Sequence, residues 1–511
     1  MSARPFNYKP VGISSGLHAA ANRSPDKVAL RFEERTLTFA TLDDRVRRVT
    51  GLVRHGLGLS KGTNAALLAP NCLEYLEIVC GAADAGVAVA TLNPKLVTRE
   101  IEYTCNDCEA AVLFVHPELA TAVRDADLPT VKRIVVLGEE YEALLQAASP
   151  TPPVEFEEWD PFVIHYTSGT TGEPKGVVLP HRARALLFFA MATEYGCYSP
   201  DDRYLATAPL FHGAGFAFAM AAIFFGGHAE ILPRYDPDVF LNRMREGAFT
   251  GTFLVPTHFH ALFELPPRIL GTRGPETLRT IVANAAPLAQ ATKERIVEYF
   301  GDDILHETYG STEIGIATNL RPRDQLRKER SVGLPFVCTH VKLLDEEGNL
   351  VKTGEVGELF TDSPFKFNGY FNRPEETQAS MRGDWFSAGD LARQDEEGYL
   401  YLVDRKKDMV ISGGVNIYPR EIEEALFRIE GVLEAAVIGV PDERWGESLL
   451  AYIVPRPHAR LETENVLAAL RQELASFKVP RTVRYIETLP RNASGKVLKR
   501  ELRERESGRG R

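Results

Sequence analysis

Short, continuously apolar runs alternate with helical patterns over roughly the first four hundred residues of the chain. Residues 63–69, 87–92 and 110–115 have the composition of strands, and residues 72–85 have that of an apolar helix. Strands that are apolar along their whole length and are separated by helices are typical of parallel sheets covered by helices on both faces. The sequence therefore predicts an α/β fold.

The pattern changes after residue 331. Residues 341–350 predict a β-hairpin, because two apolar runs flank a turn rich in Asp, Glu, Gly and Asn. The charged run 404–408 interrupts the apolar pattern, and a self-contained set of helices and strands follows it. We therefore expect a large N-terminal domain over residues 1–404, with layered α/β subdomains and a β-rich segment, and a small α+β C-terminal domain over residues 405–511.

Composition excludes several classes of protein. The chain has 511 residues, of which 44% are hydrophobic and 25% charged, as in ordinary globular proteins. These values exclude a disordered chain and a collagen-like fibre, and six cysteines are too few for a disulfide framework. The net charge of −11 argues against a nucleic-acid partner, because nucleic-acid binding relies on positive charge that neutralises phosphates.

The sequence predicts neither a signal peptide nor an integral membrane span. Its first ten residues contain no apolar core. The longest stretch without charged residues lies between residues 203 and 230, and it is interrupted by Pro209 and by several glycines. A spanning helix needs about 20 mostly apolar residues in sequence. We therefore expect a cytoplasmic protein.

A strand at residues 162–166 runs directly into a loop over residues 167–176 that is rich in Gly, Ser and Thr and contains Lys175. Glycines let backbone N–H groups approach an anion, hydroxyl groups add donors, and lysine adds positive charge. The loop therefore has the chemistry of a phosphate site, and a flexible surface loop is the structural alternative. It is not a Walker A loop, because Gly176 follows Lys175 where that motif needs Ser or Thr.

The run Tyr166-Thr-Ser-Gly-Thr-Thr-Gly-Glu-Pro-Lys-Gly176 resembles the signature loop of the adenylate-forming superfamily. That superfamily includes acyl-CoA synthetases, the adenylation domains of peptide synthetases and beetle luciferases. The resemblance covers essentially the whole chain, because other motifs occur in the order and spacing typical of the family. These motifs are at residues 209–213, 284–287, 309–313, 385–390, 404–405, 412–414 and 490–496.

The resemblance implies ATP, Mg²⁺ and coenzyme A as cofactors, and it assigns residues to them. Tyr309 is expected to stack on adenine, and Asp390 to bind the ribose with help from Arg405. The full set of candidate residues for the nucleotide and coenzyme is Thr167, Ser168, Gly169, Thr170, Thr171, Gly172, Lys175, Asn284, Ala285, Ala286, Pro287, Tyr309, Gly310, Ser311, Asp390, Arg405, Gly413 and Gly414.

The same resemblance implies the catalytic groups. Thr312 is expected to contact the α-phosphate, Glu313 and Thr170 to hold Mg²⁺, and Lys496 to bridge the carboxylate and the α-phosphate. His212 is expected to border the pocket of the acid. A magnesium ion held by one carboxylate and by substrate phosphates agrees with the ligand preferences of that ion.

The predicted acid pocket is lined by apolar or small residues. Besides His212, Asn284 and Ala285, its candidate residues are Phe211, Ala214, Gly215, His258, Phe259, Ile314 and Gly315. No Lys or Arg is among them, whereas a second charged group on the substrate would need a counter-charge. We therefore expect an apolar monocarboxylate of medium-chain, aromatic or polycyclic type.

The resemblance implies an acid–thiol ligase with two half-reactions. The acid first forms an acyl-adenylate and pyrophosphate from ATP, and the mobile C-terminal domain then pivots about Lys407 so that a thiol can attack. Coenzyme A is the expected thiol. The alternatives are transfer to the pantetheine of a carrier protein and, less favoured, a non-catalytic nucleotide-binding regulator. An oligomer is possible.

Lys496→Ala should slow the first half-reaction by a factor of roughly a hundred to a thousand, because a cation lowers the barrier between two approaching anions. Synthetic acyl-adenylate and coenzyme A should still give thioester at nearly the wild-type rate. Pyrophosphate release measures the first step, and thioester formation measures the second. Loss of both steps in a folded variant would contradict the two-step assignment.

Overall fold

The computed structural model describes residues 8–167, 174–286, 288–413, 415–442, 444–491 and 497–509. The chain divides into two compact units. One contains Met1–Val341 and Thr361–Phe386, and the other contains Lys342–Phe360 and Ser387–Arg511. A large N-terminal unit and a smaller C-terminal unit, both with helices and strands, confirm the predicted fold class. The predicted domain boundary between residues 404 and 405 stays a prediction.

The described residues form the following α-helices: α1 Ser15–Arg23, α2 Phe39–Gly51, α3 Glu74–Asp84, α4 Thr98–Asp107, α5 Ala120–Val123, α6 Glu139–Ala147, α7 His181–Tyr195, α8 Gly213–Phe224, α9 Pro237–Glu246, α10 Pro256–Phe263, α11 Pro267–Leu270, α12 Gln290–Phe300, α13 Pro374–Ala379, α14 Pro419–Phe427, α15 Thr463–Glu473 and α16 Lys499–Arg509. A π-helical turn at Leu52–Gly56 continues α2.

The strands are β1 Val28–Phe32, β2 Arg35–Thr38, β3 Asn64–Leu68, β4 Ala88–Leu92, β5 Ala110–Val115, β6 Arg133–Val136, β7 Pro161–Thr167, β8 Lys175–Pro180, β9 Arg203–Ala206, β10 His228–Ile231, β11 Gly251–Leu254, β12 Thr280–Ala283, β13 Leu305–Ser311, β14 Gly315–Leu320, β15 Leu334–Pro335, β16 His340–Leu344, β17 Gly357–Asp362, β18 Gly369–Tyr370, β19 Met381–Arg382, β20 Trp385–Phe386, β21 Asp390–Gln394, β22 Leu400–Arg405, β23 Val410–Ser412, β24 Val415–Ile417, β25 Val432–Asp442, β26 Gly446–Pro455 and β27 Thr482–Tyr485.

The first unit contains two large sheets. The seven-stranded sheet has the order β18-β8-β7-β4-β3-β5-β6, and the strands from β7 to β6 in that order run parallel. The nine-stranded sheet has the order β15-β14-β13-β12-β11-β9-β10-β1-β2. Its strands from β13 to β1 in that order also run parallel. The continuously apolar runs at residues 63–69, 87–92 and 110–115 are β3, β4 and β5, as predicted.

The second unit contains antiparallel pairs. β21 pairs with both β17 and β22. A five-stranded sheet has the order β24-β23-β26-β25, and β27 pairs with β26 in parallel. The predicted turn at residues 345–349 is present, because a bridge joins Leu344 to Leu350.

Helix α3 is buried along its whole length, including the carboxylate of Glu77. A buried carboxylate needs hydrogen-bond partners. Arg45 Nε lies 2.5 Å from Glu77 Oε2, and the Tyr141 hydroxyl donates to Glu77 Oε1 at 2.7 Å. These contacts explain why a charged residue is tolerated in an otherwise apolar helix. Among the described residues, no helix has both the length and the apolarity that a membrane crossing requires.

His18 connects α1 to α2 and α3. Its Nδ1 atom contacts Asp43, and its Nε2 atom lies 2.8 Å from Asp84 Oδ2. Burial by itself would lower the pKa of His18, but the two carboxylates outweigh it and raise the pKa from 6.5 to about 9. His18 is therefore charged at neutral pH and forms ion pairs that stabilise this helical layer.

Replacing His18 should reduce stability in a pH-dependent way. Because the pKa is higher in the folded state, the stabilisation is complete below pH 6.5 and is lost as the pH rises through 9. His18→Gln should lower the free energy of unfolding by up to about 3 kcal/mol at pH 6 and by much less at pH 9.5. Urea unfolding at both pH values measures the difference, and His55→Gln, at an exposed position, is the matched control. A loss that does not change with pH would contradict the ion-pair account.

Candidate active site

The two ends of the candidate phosphate-binding loop, residues 167–176, are neighbours in the seven-stranded sheet. Thr167 ends β7 and pairs with Lys175, which begins the antiparallel strand β8. The ammonium group of Lys175 contacts the carboxylate of Glu376 and lies 5.2 Å from the ring centroid of Tyr370. The remaining predicted loop residues, Ser168, Gly169, Thr170, Thr171 and Gly172, lie outside the described residues.

The motif 309–313 forms the tip of the β13–β14 hairpin. Tyr309, Gly310 and Ser311 end β13, and Gly315 begins β14 opposite Ser311. A Cβ atom on Gly310 would stand 1.9 Å from the carbonyl oxygen of Gly315, so only glycine fits there. This close approach of the two strands presents Thr312 and Glu313 at the turn.

A short segment, residues 367–371, connects this hairpin tip to β8. The backbone N–H of Phe367 donates to the carbonyl of Glu313 at 2.7 Å, and the Tyr370 hydroxyl donates to Glu313 Oε1 at 2.9 Å. Further along the segment, Phe371 N donates to the carbonyl of Gly176 at 2.8 Å. We call residues 367–371 the connecting segment. It fixes the position of Glu313 relative to the strand that carries Lys175.

The segment 284–288 is also attached to β13. Asn284 donates from Nδ2 to the Thr308 hydroxyl at 2.9 Å, and Leu288 N donates to Glu307 at 3.2 Å. Glu307 forms an ion pair with the fully buried Lys293 of α12. Ala285 has a positive φ of 77°, and Ala286 follows it. Pro287 lies outside the described residues.

His212 precedes α8 and accepts a hydrogen bond from Ala214 N at 3.3 Å. Desolvation by the surrounding protein and the charge of Arg184 lower the pKa of His212, although the residue is exposed. Phe211 immediately before it is partly buried. A Cβ atom on Gly215 would stand 2.1 Å from the carbonyl oxygen of Pro209, so this glycine allows α8 to pack against the preceding segment.

Other predicted pocket residues are more deeply buried. Phe259 is fully buried in a hydrophobic cluster of the core, and Ile314 is 2% exposed. His258 stacks on Tyr235 with their ring centroids 3.9 Å apart, and burial lowers its pKa to about 4. Gly315 has a φ of 69° and lies near Leu187. The predicted roles of these four residues in an acid pocket stay predictions.

In the second unit, Asp390 and Arg405 face each other across β21 and β22, with 3.1 Å between Oδ1 and Nε. Burial and the charge of Arg405 lower the pKa of Lys407. Gly413 has a φ of 59°, and a Cβ atom there would stand 2.7 Å from the ring of Trp445. Gly414 and Lys496 lie outside the described residues.

Sequence reasoning missed several side chains near the predicted groups. Arg184 of α7 is 3% exposed and donates to the carbonyl of Thr312 at 3.4 Å. His165 of β7 is equally buried. Tyr370 was missed because it lies outside the family motifs. The sequence does carry one signal for Arg184, which lies two residues after Arg182 on α7. Residues two apart on a helix point about 200° from each other, so the two arginines lie on opposite sides of the helix and one of them is expected to face the protein interior.

The described residues contain no cluster of three or more His, Cys, Asp and Glu side chains that could hold a metal ion. Mg²⁺ does not need such a cluster, because it is often bound by one or two carboxylates together with substrate phosphates. The Glu313 carboxylate fits that kind of site. It accepts a hydrogen bond from Tyr370, and the connecting segment attaches it to β8, the strand that carries Lys175.

Gly310→Ala should disrupt the hairpin tip, because the added methyl group would overlap the Gly315 carbonyl. We expect a stability loss of about 2 kcal/mol or more and at least a tenfold loss of ATP-dependent turnover. Thermal melting and pyrophosphate release measure the two effects. A variant with wild-type stability and turnover would contradict the described approach of the strands.

Comparisons with known proteins agree with this arrangement. The sequence profile described as AMP-binding enzyme matches residues 17–371, and that described as AMP-binding enzyme C-terminal domain matches residues 421–496. A feruloyl-CoA synthase from Amycolatopsis sp is 35% identical over 97% of this chain and 99% of its own. An indoleacetate–CoA ligase from Aromatoleum aromaticum is 33% identical over 96% of this chain and 98% of its own.

Solved structures give the same result. ATP-bound MatB from Rhodopseudomonas palustris has a TM-score of 0.88 and 29% identity, and the match covers 97% of this chain and 99% of that one. The o-succinylbenzoate CoA synthetase from Bacillus subtilis, in complex with an acyl-adenylate intermediate, has a TM-score of 0.85 and 29% identity. That match covers 95% of this chain and 97% of the other. The resemblance found in the motifs is confirmed: this chain belongs to the AMP-binding enzyme family, as an ATP-dependent, AMP-forming acid–thiol ligase of the acyl-CoA ligase type.

Proposed function

We propose that the protein joins an aromatic carboxylic acid to coenzyme A. In the first half-reaction a carboxylate oxygen attacks the α-phosphorus of ATP, and the bond to the β-phosphate oxygen breaks, which releases pyrophosphate. In the second, the sulfur of coenzyme A attacks the acyl carbon, and AMP leaves with the former carboxylate oxygen. The thiol proton passes to the solvent.

The observation that carries this proposal is the connecting segment, which attaches Glu313 to β8, the strand that carries Lys175. Glu313 and the Lys175 ammonium are thereby attached to the same short stretch of chain, through Tyr370 and Gly176. Lys175 now contacts the Glu376 carboxylate, and a polyphosphate would compete with that carboxylate for the ammonium group. Thr167 and Ser168 to Gly172 would supply further donors around the β- and γ-phosphates.

Glu313 and Thr170 would hold Mg²⁺, which when bound neutralises charge on the phosphates. Thr312, next to Glu313 at the hairpin tip, would donate its hydroxyl to the α-phosphate. Lys496 would approach the same oxygen atoms from the C-terminal domain. These roles amount to positioning and charge stabilisation, which are the main sources of catalysis in reactions at phosphate.

Tyr309 would stack on adenine, with the segment 284–287 beside it. The ribose hydroxyls would bind Asp390, because a carboxylate can accept hydrogen bonds from two neighbouring hydroxyls. Arg405, which pairs with Asp390, would keep that carboxylate in place. Lys407 would be the pivot between the half-reactions, and Gly413 would allow the thiol arm of coenzyme A to pass closely.

Three comparisons support an aromatic acid as the substrate. The names of the relatives specify feruloyl, 2-succinylbenzoate and indoleacetate groups. The candidate pocket residues of this chain are mainly apolar or small. We propose coenzyme A rather than a carrier protein as the acceptor because the relatives are named as coenzyme A ligases, and the cytoplasm as the compartment where both substrates are available.

Pyrophosphate release with a panel of aromatic acids tests this function. We expect release that requires ATP, Mg²⁺ and acid, formation of AMP, and thioester only when coenzyme A is added. Glu313→Gln should slow pyrophosphate release by about a hundredfold or more, because charge stabilisation is lost. Glu264→Gln, at an exposed position after α10, is the matched control. Formation of ADP, or transfer to a carrier protein but not to coenzyme A, would contradict the proposal.

A further inference from the structure

Two buried polar side chains that the proposed reaction does not use converge on the first residue of α8. Arg184 and His165 are each 3% exposed. A Cβ atom placed on Gly213 would stand 3.6 Å from Arg184 Nη2 and 3.5 Å from His165 Nε2. The nearest atom to that Cβ position is His165 Cδ2 at 3.3 Å, so the cation and the imidazole border a space beside Gly213 that is already tight for a methyl group.

Both side chains have hydrogen-bonding atoms without partners in the described part of the chain. In Arg184 these atoms are Nε and Nη1, and its Nη2 makes only the long 3.4 Å contact with the Thr312 carbonyl. In His165 the atom is Nε2. Buried polar atoms usually have partners, so two such residues beside one space indicate a ligand group or a water molecule.

The hydrogen bonds of Thr91 determine which nitrogen of His165 carries the proton. The Thr91 hydroxyl donates its only hydrogen to the carbonyl of Phe211 at 3.0 Å. It must therefore accept from His165 Nδ1, which lies 2.7 Å away. Burial, with the charges of Arg184 and His212, lowers the pKa of His165 well below its usual value, so the ring is neutral. Its Nε2 atom is consequently an acceptor.

The space beside Gly213 is thus bordered by donors on Arg184 and by an acceptor on His165. One group that satisfies both is a hydroxyl, whose oxygen accepts from Arg184 and whose hydrogen is donated to His165 Nε2. A carboxylate has no hydrogen to donate and would be repelled by the Nε2 lone pair.

We propose that the residues Arg184, His165 and Gly213 form a subsite for a hydroxyl group on the acid substrate. This inference rests on the proposed function. The subsite belongs to the acid rather than to ATP, because His212 and Ala214 on one side and Gly315 on the other are candidate acid-pocket residues. Gly315 is also close to the guanidinium, since a Cβ atom there would stand 3.5 Å from Arg184 Nη1.

A neutral group at this place can satisfy the unpartnered atoms of Arg184. Among the described ion pairs Arg184 has no partner. Burial lowers the pKa of Arg184 to about 10, and the charge of Glu313 only partly offsets that effect. A phenolic or alcoholic hydroxyl completes the hydrogen bonds without adding a second charge. Such an acid is still a monocarboxylate, as the sequence predicts.

The test compares 3-phenylpropanoate with its 3-hydroxy, 4-hydroxy, 3-methoxy and 4-methoxy ring derivatives, using kcat/KM for pyrophosphate release. The wild-type protein should prefer at least one hydroxy acid over the parent acid by about tenfold or more, because a buried site that bonds a hydroxyl discriminates against acids without it. It should also prefer that hydroxy acid over its methoxy derivative, which can accept from Arg184 but cannot donate to His165.

Variants separate this role from a structural one. In Arg184→Met and in His165→Phe, the ratio of kcat/KM for the hydroxy acid to that for the parent acid should fall to about one. Arg184→Lys should restore part of the preference. Arg182→Met is the control on the same helix, because Arg182 is partly exposed and pairs with Glu158 at 2.8 Å. The Arg182→Met variant should show the same preference for the hydroxy acid as the wild-type protein. Melting temperatures show which variants fold. If Arg184→Met does not fold, Arg184→Lys still tests the role of the guanidinium group.

The outcomes distinguish this inference from the function on which it rests. If wild-type protein accepts the parent acid as well as every hydroxy acid, a water molecule satisfies the two side chains, and the inference is overturned while the function stands. Equal losses for all acids in Arg184→Met would overturn it too, because Arg184 would then support the fold or the nucleotide site. If none of the acids gives pyrophosphate, the proposed function fails for this acid class, and the subsite fails with it.

Discussion

The connecting segment, residues 367–371, is the interaction on which the candidate site depends. It donates backbone hydrogen bonds to Glu313 of the nine-stranded sheet and to Gly176 and Val178 of the seven-stranded sheet. Within the first unit, this short segment contains β18, the edge strand of the seven-stranded sheet, and joins that sheet to the β13–β14 turn of the nine-stranded sheet. The strand proposed to bind phosphate and the carboxylate proposed to hold Mg²⁺ are thereby attached to one short stretch of chain, as their proposed action on one nucleotide requires.

Charged groups inside the first unit follow a consistent rule. Glu77 and Lys293 are buried and His18 is partly buried, and each has an opposite charge within contact distance. Arg184 differs, because it forms none of the described ion pairs and two of its nitrogen atoms have no partner in the described residues. Removing the partner of a buried charge is costly, so a buried charge that lacks one suggests binding rather than stability.

The sequence predicts the parallel sheets well, because β3, β4 and β5 are apolar along their whole length, as strands covered on both faces must be. It also identifies the motif at residues 309–313, since several motifs occur in the order of one family, but it does not predict that this motif lies at a hairpin tip. It does not predict the connecting segment, whose role depends on contacts between distant parts of the chain. Arg184 escapes prediction for a related reason: on an amphipathic helix an arginine is normally assigned to the solvent side.

The central claim is that an acyl-adenylate forms between the acid and ATP. An acid labelled with ¹⁸O in its carboxylate tests it directly, because attack of the thiol on the acyl carbon leaves one carboxylate oxygen on AMP. Mass spectrometry of the AMP from a complete reaction should find one ¹⁸O atom transferred for each thioester formed. Unlabelled AMP, or label in inorganic phosphate, would contradict the account.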